Sequence, residues 1–319
     1  MSFINKESLL WKIIYNAFRF LISLTFIIVF QTLFGVENTL LGVAISVGFT
    51  MLPMCNLDIK PWTMFWIIVI LYGGSTFVAQ LSAVNPWLAF GCHFIFLSLI
   101  ILLANEPLEY QTNITFLLCF VFSQSTVVSW SQFPMRAIAG IVGGIFVGGC
   151  VVLNWYRHGY GGKIGIRQQI LRCQMNRSYL LRMSFGVSLA MLIGTLFQMS
   201  KPLWISIVVM SLTQLEFTET LTRIKHRFVG TLVGIIIFFI FFQYFIPQQY
   251  AGFVVMFLGY MGFFLPEYKF KQVINAISAL NASLVILDTL TAIENRLLCL
   301  IAGIMIVLGI YFMTKFIRN

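Results

Sequence analysis

Long apolar runs separated by short polar stretches fill this sequence from end to end. A helix that crosses a bilayer needs roughly 20 predominantly apolar residues. Barrel strands instead alternate apolar and polar positions, whereas Ile235–Phe242 is apolar throughout. The pattern therefore predicts an all-α polytopic membrane protein. About twelve transmembrane helices are predicted, at 13–34, 38–54, 61–81, 86–104, 113–131, 134–156, 178–199, 202–216, 227–247, 250–265, 272–288 and 296–316.

Three of these predicted spans are shorter than a comfortable crossing. They lie at 38–54, 202–216 and 250–265, and such segments can be steep, broken or re-entrant. Composition agrees with a lipid environment, because 60% of the residues are hydrophobic and only 9% are charged. A soluble protein does not expose that much apolar surface. The six cysteines are scattered without a Cys-x-x-Cys pair, so we expect no metal and no cofactor.

The basic residues are distributed asymmetrically along the predicted topology. With the N terminus inside, most Lys and Arg residues fall in inner loops and tails, while Arg136, Lys201 and Arg296 fall outside. Short cytoplasmic loops are rich in Lys and Arg, so both termini are predicted to be cytoplasmic. This topology also accounts for the formal net charge of +10, and no nucleic-acid partner is needed to explain it.

The sequence also repeats itself. A shift of 163 residues aligns Arg19 with Arg182, and a shift of 160 residues aligns Arg136 with Arg296. Two units of six helices enter the membrane from the same side, so they are expected to be parallel repeats about an axis along the membrane normal. The predicted parts are a first six-helix repeat at 1–156, a basic cytoplasmic linker at 157–177 and a second six-helix repeat at 178–319.

A motif in the second repeat carries a family resemblance. A span that holds Trp204 is followed by a Thr-rich turn and then by Arg-x-x-Gly-Thr-x-x-Gly, which runs from Arg227 to Gly234. This arrangement resembles the core of the fusaric-acid-resistance and aromatic-acid-exporter superfamily, in a short form without the cytoplasmic domain. The resemblance covers about 178–247. The first repeat reads Lys-Pro-Trp-Thr-Met-Phe from Lys60 where the arginine motif would begin.

The resemblance implies a non-enzymatic, multi-pass inner-membrane permease that exports aromatic or amphiphilic organic anions. We expect it to be proton-coupled, with a periplasmic adaptor as partner, and a homo-oligomer is a further candidate assembly. Two alternatives stay open. A passive organic-anion channel of the same architecture needs no coupling group, whereas a membrane-embedded enzyme or assembly protein should show a convergent His, Asp or Glu constellation within its spans.

Five arginines are candidates for substrate binding, because charge in a span is costly and a guanidinium suits carboxylates. Arg19 and Arg182 lie near the cytoplasmic ends of their spans, where snorkelling to the interface is an equal alternative. Arg136 and Arg296 open the last span of each repeat from the outer side. They either form an outer anion-binding site or contact an adaptor, or they are interfacial anchors or partners of Asp288 or Glu294. Arg227 belongs to a basic cluster that either marks topology or concentrates anions at a cytoplasmic mouth.

Uncharged polar residues within the spans are the second group of candidates. Ser125, Ser129 and Gln132 would share a narrow face of one helix, and Asn275 and Asn281 a wider arc of the matching helix. These faces predict either a hydrated substrate path or interhelical hydrogen bonds.

The remaining candidates are one aromatic residue and three titratable residues. Trp204 either stacks on an aromatic substrate or belongs to the interfacial belt. Glu216 and Glu219 could couple transport to protons, although structural ion pairs are the favoured interpretation. His93 could relay protons, but a single histidine on an apolar helix is more often a core residue.

Overall fold

The computed structural model describes residues 3–265, 267–284 and 287–318. In that part of the chain there are many helices and no strand. The α-helices are α1 (Phe3–Phe34), α2 (Thr39–Met51), α3 (Pro61–Gln80), α4 (Pro86–Ala104), α5 (Asn113–Ser125), α6 (Phe133–His158), α7 (Ile166–Gln174), α8 (Arg177–Leu196), α9 (Leu203–Leu212), α10 (Phe217–Ile240), α11 (Ala251–Met261), α12 (Tyr268–Ser283) and α13 (Thr289–Arg318).

Each of the predicted spans overlaps one of these helices, and α7 lies in the predicted linker. Within the described residues, seven helical segments are long and apolar enough to cross a membrane. They are Leu10–Phe34, Val36–Met54, Pro61–Ala83, Pro86–Ala104, Phe133–His158, Arg177–Leu196 and Thr289–Phe316. The prediction of a multi-pass helical membrane protein is therefore confirmed, and the count of twelve crossings stays a prediction.

Helix α5 ends earlier than the predicted span at 113–131. It stops at Ser125, and the chain is not helical again until Phe133. The hydroxyls of Ser125 and Thr126 donate hydrogen bonds of 3.0 and 2.9 Å to the carbonyl of Phe122. Such bonds compete with the helical backbone pattern. The expectation that Ser125, Ser129 and Gln132 share one helix face is therefore wrong, because only Ser125 is helical.

Two further helix boundaries differ from the prediction. They are the end of the span predicted at 202–216 and the start of the span predicted at 227–247. Helix α9 ends at Leu212, because Thr213 has an extended backbone with ψ of 113°. Helix α10 begins at Phe217, ten residues before the predicted start at 227. Hydropathy marks only the apolar part of a helix, so the polar first turns of α10 carried no signal.

The chain separates into two compact units. The first unit comprises Met1–Ile22 with Gln214–Met305, and the second comprises Ser23–Thr213 with Ile306–Asn319. Helices α1 and α13 each contribute one end to each unit. These boundaries differ from those of the predicted repeats, so the duplication at 1–156 and 178–319 stays a prediction.

In the second unit, glycines bring α6 close to α3. A Cβ atom on Gly144 would lie 3.0 Å from the Cα of Val69, and one on Gly148 would lie 2.8 Å from the Phe65 ring. Residue numbers rise along α6 as they fall along α3, so the two helices are antiparallel. Small residues at this spacing allow close backbone approach.

In the first unit, α10 lies against α12. A Cβ on Gly230 would lie 2.8 Å from the Cβ of Gln272, and one on Gly234 would lie 2.6 Å from the Cβ of Ala276. Numbers rise together along both helices, so α10 and α12 are parallel, and the intervening α11 has to carry the chain back. An apolar cluster that includes Phe238, Leu280 and Ala292 joins α13 to this pair.

Candidate functional site

Buried formal charge is carried by arginine alone among the residues whose burial the structure describes. Arg136, Arg182, Arg227 and Arg296 are 1%, 7%, 2% and 5% exposed, and no Asp or Glu in this part of the chain is buried. Placing a cation in a medium of low polarity is costly, and arginines in membrane segments commonly mark ion or substrate pathways. The buried interior therefore has a formal positive charge.

Arg136 lies within the second unit and is bonded by the protein itself. Its Nε donates to the Oδ1 of Asn38 at 2.8 Å, and its Nη2 donates to the carbonyl of Glu37 at 2.6 Å. Its Nη1 donates to the carbonyls of Ser123, at 3.4 Å, and Thr126. These carbonyls lie where α5 ends, and a helix end leaves such groups unsatisfied. Arg136 thus holds the interrupted end of α5.

Arg182, also in the second unit, combines a hydrogen bond with a stacked ring. Its Nε donates to the carbonyl of Ser178 at 3.0 Å, and its guanidinium carbon lies 4.6 Å from the centroid of the Tyr311 ring. A cation over an aromatic face is attracted by the ring quadrupole. The side chain is buried on α8 against α13, rather than extended to the protein surface.

Arg227 opens the motif face of α10 in the first unit. Gly230, Thr231 and Gly234 follow it at spacings of three, four and seven residues, so the four positions share one helix face. All four are buried, and this face lies against α12. The Nη1 of Arg227 donates to the Tyr268 hydroxyl at 3.4 Å. The motif therefore combines a packing face with an arginine at its N-terminal end.

Arg296 on α13 lies within electrostatic range of Arg227. Two buried amides of the same unit adjoin these arginines. Gln272 on α12 lies against Gly230, which follows Arg227 by three residues, and Asn295 directly precedes Arg296 on α13. Their Oε1 and Nδ2 atoms, respectively, have no hydrogen-bond partner among the described residues. We name Arg227, Gln272, Asn295 and Arg296 the polar cluster.

The polar cluster unites residues that the sequence predicted with residues that it missed. Arg227 and Arg296 are among the five predicted arginines, whereas Gln272 and Asn295 are not among the predicted residues. Buried amides on apolar helices are ambiguous, because interhelical hydrogen bonds use the same side chains. Adjacency of Asn295 to Arg296 was the only sequence signal.

Arg19, the remaining predicted arginine, lies in the first unit on α1. It is half-buried, and its guanidinium carbon lies 5.6 and 5.7 Å from the ring centroids of Tyr15 and Phe263. Arg19 therefore sits in an aromatic environment on a helix that is otherwise largely exposed.

The predicted uncharged polar residues are dispersed. Ser125 is half-buried, and Ser129 is exposed in the segment after α5, where its hydroxyl lies 2.9 Å from that of Ser131. Asn275 is exposed and Asn281 half-buried on α12. Trp204 is buried on α9, unlike the exposed tryptophans expected of an interfacial belt.

The three predicted titratable residues lie at different depths. His93 on α4 is buried, with its ring centroid 5.1 Å from that of Phe120 in an edge-on arrangement. Glu216 and Glu219 are exposed at the start of α10. The Thr218 hydroxyl donates to the Oε2 of Glu216 at 3.4 Å.

Comparison with known proteins finds one family similarity, which lies in the second half of the chain. Residues 189–310 match the family model described as fusaric acid resistance protein-like. No curated protein and no solved structure matches the chain. The matched residues contain the arginine motif and all four residues of the polar cluster. The predicted resemblance to the fusaric-acid-resistance family, whose members are membrane transport and resistance proteins, is therefore confirmed over residues 189–310.

Proposed function

We propose that this protein is an inner-membrane permease that exports organic anions, aromatic or amphiphilic ones in particular, and uses the proton gradient to do so. The observation that carries the proposal is the sign of the buried charge. Four arginines are buried while no Asp or Glu is buried among the described residues. An interior of this kind lowers the energy of an anion and raises that of a cation.

The polar cluster is the proposed binding site for the anion. A guanidinium offers parallel N–H donors that match the two oxygens of a carboxylate. The amide of Asn295 adds donors and the amide of Gln272 adds an acceptor, which suits a hydroxyl or a protonated group beside the carboxylate. In this account Arg227 and Arg296 attract the anion, and the two amides orient it.

The arginines outside the polar cluster have separate proposed roles. Arg136 is a positioning residue, since its donors are bonded to the carbonyls at the end of α5. Arg182 and Arg19 lie against aromatic rings, each within its own unit, and we assign each of them a separate role in stacking an aromatic anion.

Proton coupling is assigned to a carboxylate of α10. Glu216 and Glu219 are exposed ahead of Arg227 on the same helix, so protonation there changes the potential at the entrance to the polar cluster. His93 is the second candidate, and it would have to exchange protons from an aromatic core. The Glu219→Gln substitution tests the assignment. A coupling residue is needed for transport against a substrate gradient, but not for the exchange of labelled and unlabelled substrate at equilibrium.

A periplasmic adaptor is the proposed partner, because the resemblance to the fusaric-acid-resistance family implies one. Affinity purification from native membranes tests it, with or without reversible cross-linking. Recovery of a periplasmic protein would support the adaptor, and its repeated absence in both preparations would remove it from the account. The mass of the purified complex from the same preparation tests the homo-oligomer.

The function itself is tested by efflux. Cells with and without the protein are loaded with a panel of labelled aromatic acids, and retention is measured before and after collapse of the proton gradient. A coupled exporter lowers retention only when the protein and the gradient are both present. Gradient-independent leakage would identify the passive channel instead, and equal retention for every acid would contradict anion export.

A further inference from the structure

The linker that follows α6 is strongly basic. Between Arg157 and Arg177 it has five cations and no acidic residue. The cations are Arg157, Lys163, Arg167, Arg172 and Arg177. A Lys or Arg cluster beside a membrane helix on the cytoplasmic side is typical of segments that bind anionic lipid headgroups.

The helix of this linker, α7, is fixed to the rest of the second unit. Gln169 is buried, and its Nε2 donates to the carbonyls of Leu103 and Glu106 at 3.3 and 2.9 Å. The Nδ2 of Asn176 donates to the Glu106 carboxylate at 2.7 Å. These bonds hold α7 at the end of α4, so its cations are presented on a structured surface.

The outward face of α7 is amphipathic. Leu171 and Met175 lie one turn apart and are 56% and 85% exposed. Arg167, also exposed, lies one turn before Leu171 on the same side of the helix. Exposed apolar side chains beside cations are typical of a helix that lies in the headgroup region of a bilayer. A site for a soluble polyanion would not require this apolar pair.

One guanidinium nitrogen on this helix lacks a hydrogen-bond acceptor among the described residues. The Nη1 of Arg172 is buried, and no hydrogen-bond acceptor reaches it among the residues that the structure describes. A buried guanidinium nitrogen without an acceptor is costly, so the half-buried Arg172 side chain gains by turning outward to a phosphate oxygen. This observation is independent of the charge count, and it points to an anionic ligand at this position.

An apolar groove lies beside the first turns of α8, which follow the linker. It has a volume of about 190 Å³ and is open to the surface, since Leu181 and Met313 are 49% and 58% exposed. Leu181 lies one turn after Arg177 on α8. The groove is lined by Phe94, Leu181, Phe185, Ile310, Met313 and Thr314. It suits a hydrocarbon chain whose polar end lies near the linker.

We propose that the linker and this groove bind an anionic glycerophospholipid of the cytoplasmic leaflet. Arg172 and Arg177 receive the headgroup phosphate, while Leu171 and Met175 enter the interface. One acyl chain occupies the groove beside Leu181. The site is distinct from the polar cluster, and the proposal does not depend on what the protein transports.

The test is lipid-specific stabilisation of the full chain in a neutral detergent. Titration with phosphatidylglycerol should raise the unfolding temperature, and titration with phosphatidylcholine should not. Each cation near an anionic headgroup contributes about fivefold in affinity. The Arg172→Gln/Arg177→Gln variant should therefore weaken phosphatidylglycerol binding by roughly 25-fold. Arg172→Lys/Arg177→Lys should retain most of it.

A control variant and a second readout keep the test decisive. Lys201→Gln, on the predicted outer side, should bind phosphatidylglycerol as the unmodified protein does. An environment-sensitive dye on Met175→Cys, corrected for labelling of the parent protein, should shift to the blue only with vesicles containing phosphatidylglycerol. Equal effects of both lipids, or equal stabilisation by soluble glycerol phosphate, would overturn the proposal.

Discussion

At the scale of single residues, the buried arginines have different roles. Arg136 donates hydrogen bonds to backbone carbonyls and to the Asn38 side chain, so its role is structural. Arg227 bonds a tyrosine hydroxyl and lies within electrostatic range of a second arginine, which makes it suited to an anion. Sequence alone could place both arginines in spans. It could not distinguish their roles, because the role of Arg136 depends on the backbone carbonyls that are left without helical partners where α5 ends early.

We expect Arg136→Gln to destabilise the protein by roughly 3 kcal/mol, because buried carbonyls lose a charged donor. Arg136→Lys should recover little, since a single ammonium cannot reach acceptors spread around a planar fork. Thermal unfolding of the detergent-solubilised protein measures both changes. Arg157→Gln, an exposed position at the end of α6, is the control. Equal stability of the Arg136 and Arg157 variants would contradict the role given to Arg136.

Cys173 in α7 gives a second prediction at this scale. Burial raises the pKa of its thiol to about 11, so little reactive thiolate is present at pH 8. Maleimide should therefore modify Cys173 slowly in the folded protein and rapidly after denaturation. Met175→Cys, which places a thiol at an exposed position two residues away, should react fast under both conditions. Rapid modification of Cys173 before unfolding would show that α7 is not held against α4.

At the scale of elements, hydropathy predicted where helices lie but not where they begin and end. The apolar runs place a helix at each predicted span, since burial in lipid selects those residues. The early end of α5 depends on hydroxyls at Ser125 and Thr126 that bond the Phe122 carbonyl. The early start of α10 depends on polar turns outside any apolar run. Neither feature changes mean hydropathy enough to be read from sequence.

The parallel pair of α10 and α12 is predicted to depend on Gly234. A Cβ there would lie 2.6 Å from the Cβ of Ala276 and 2.8 Å from the Val273 carbonyl oxygen. Gly234→Ala must therefore separate the helices, at a cost of about 1–3 kcal/mol. Gly309→Ala, where nothing lies within 4 Å, should be neutral or stabilising by up to about 1 kcal/mol. Unfolding temperatures measure both, and equal effects would contradict this packing.

At the scale of the whole molecule, the charge of the loops and the charge of the interior support two different inferences. The loop cations predict topology, whereas the buried arginines predict the sign of the substrate. The sequence supplied both sets of residues, together with the family motif. It could not show that the acidic residues whose burial is described stay out of the core, because burial of a carboxylate depends on packing between distant helices.

Topology is tested by reporter fusions. A fluorescent protein fused after residue 319 should fluoresce, because both termini are predicted to be cytoplasmic. Alkaline phosphatase fused at Lys201, on the predicted outer side, should be active, and its fusion within the linker near Lys163 should be inactive. An active phosphatase at the linker would reverse the orientation, and with it the leaflet proposed for the lipid.

The most direct test of the central claim uses the protein in proteoliposomes under a fixed proton gradient. An aromatic carboxylate and its uncharged amide are compared, with Arg227→Gln and Arg227→Lys beside the unmodified protein. If buried positive charge selects the substrate, only the carboxylate is transported. Arg227→Gln should then lower its rate at least tenfold, and Arg227→Lys should restore it in part. Equal transport of the acid and its amide, or an unchanged rate in Arg227→Gln, would contradict the account.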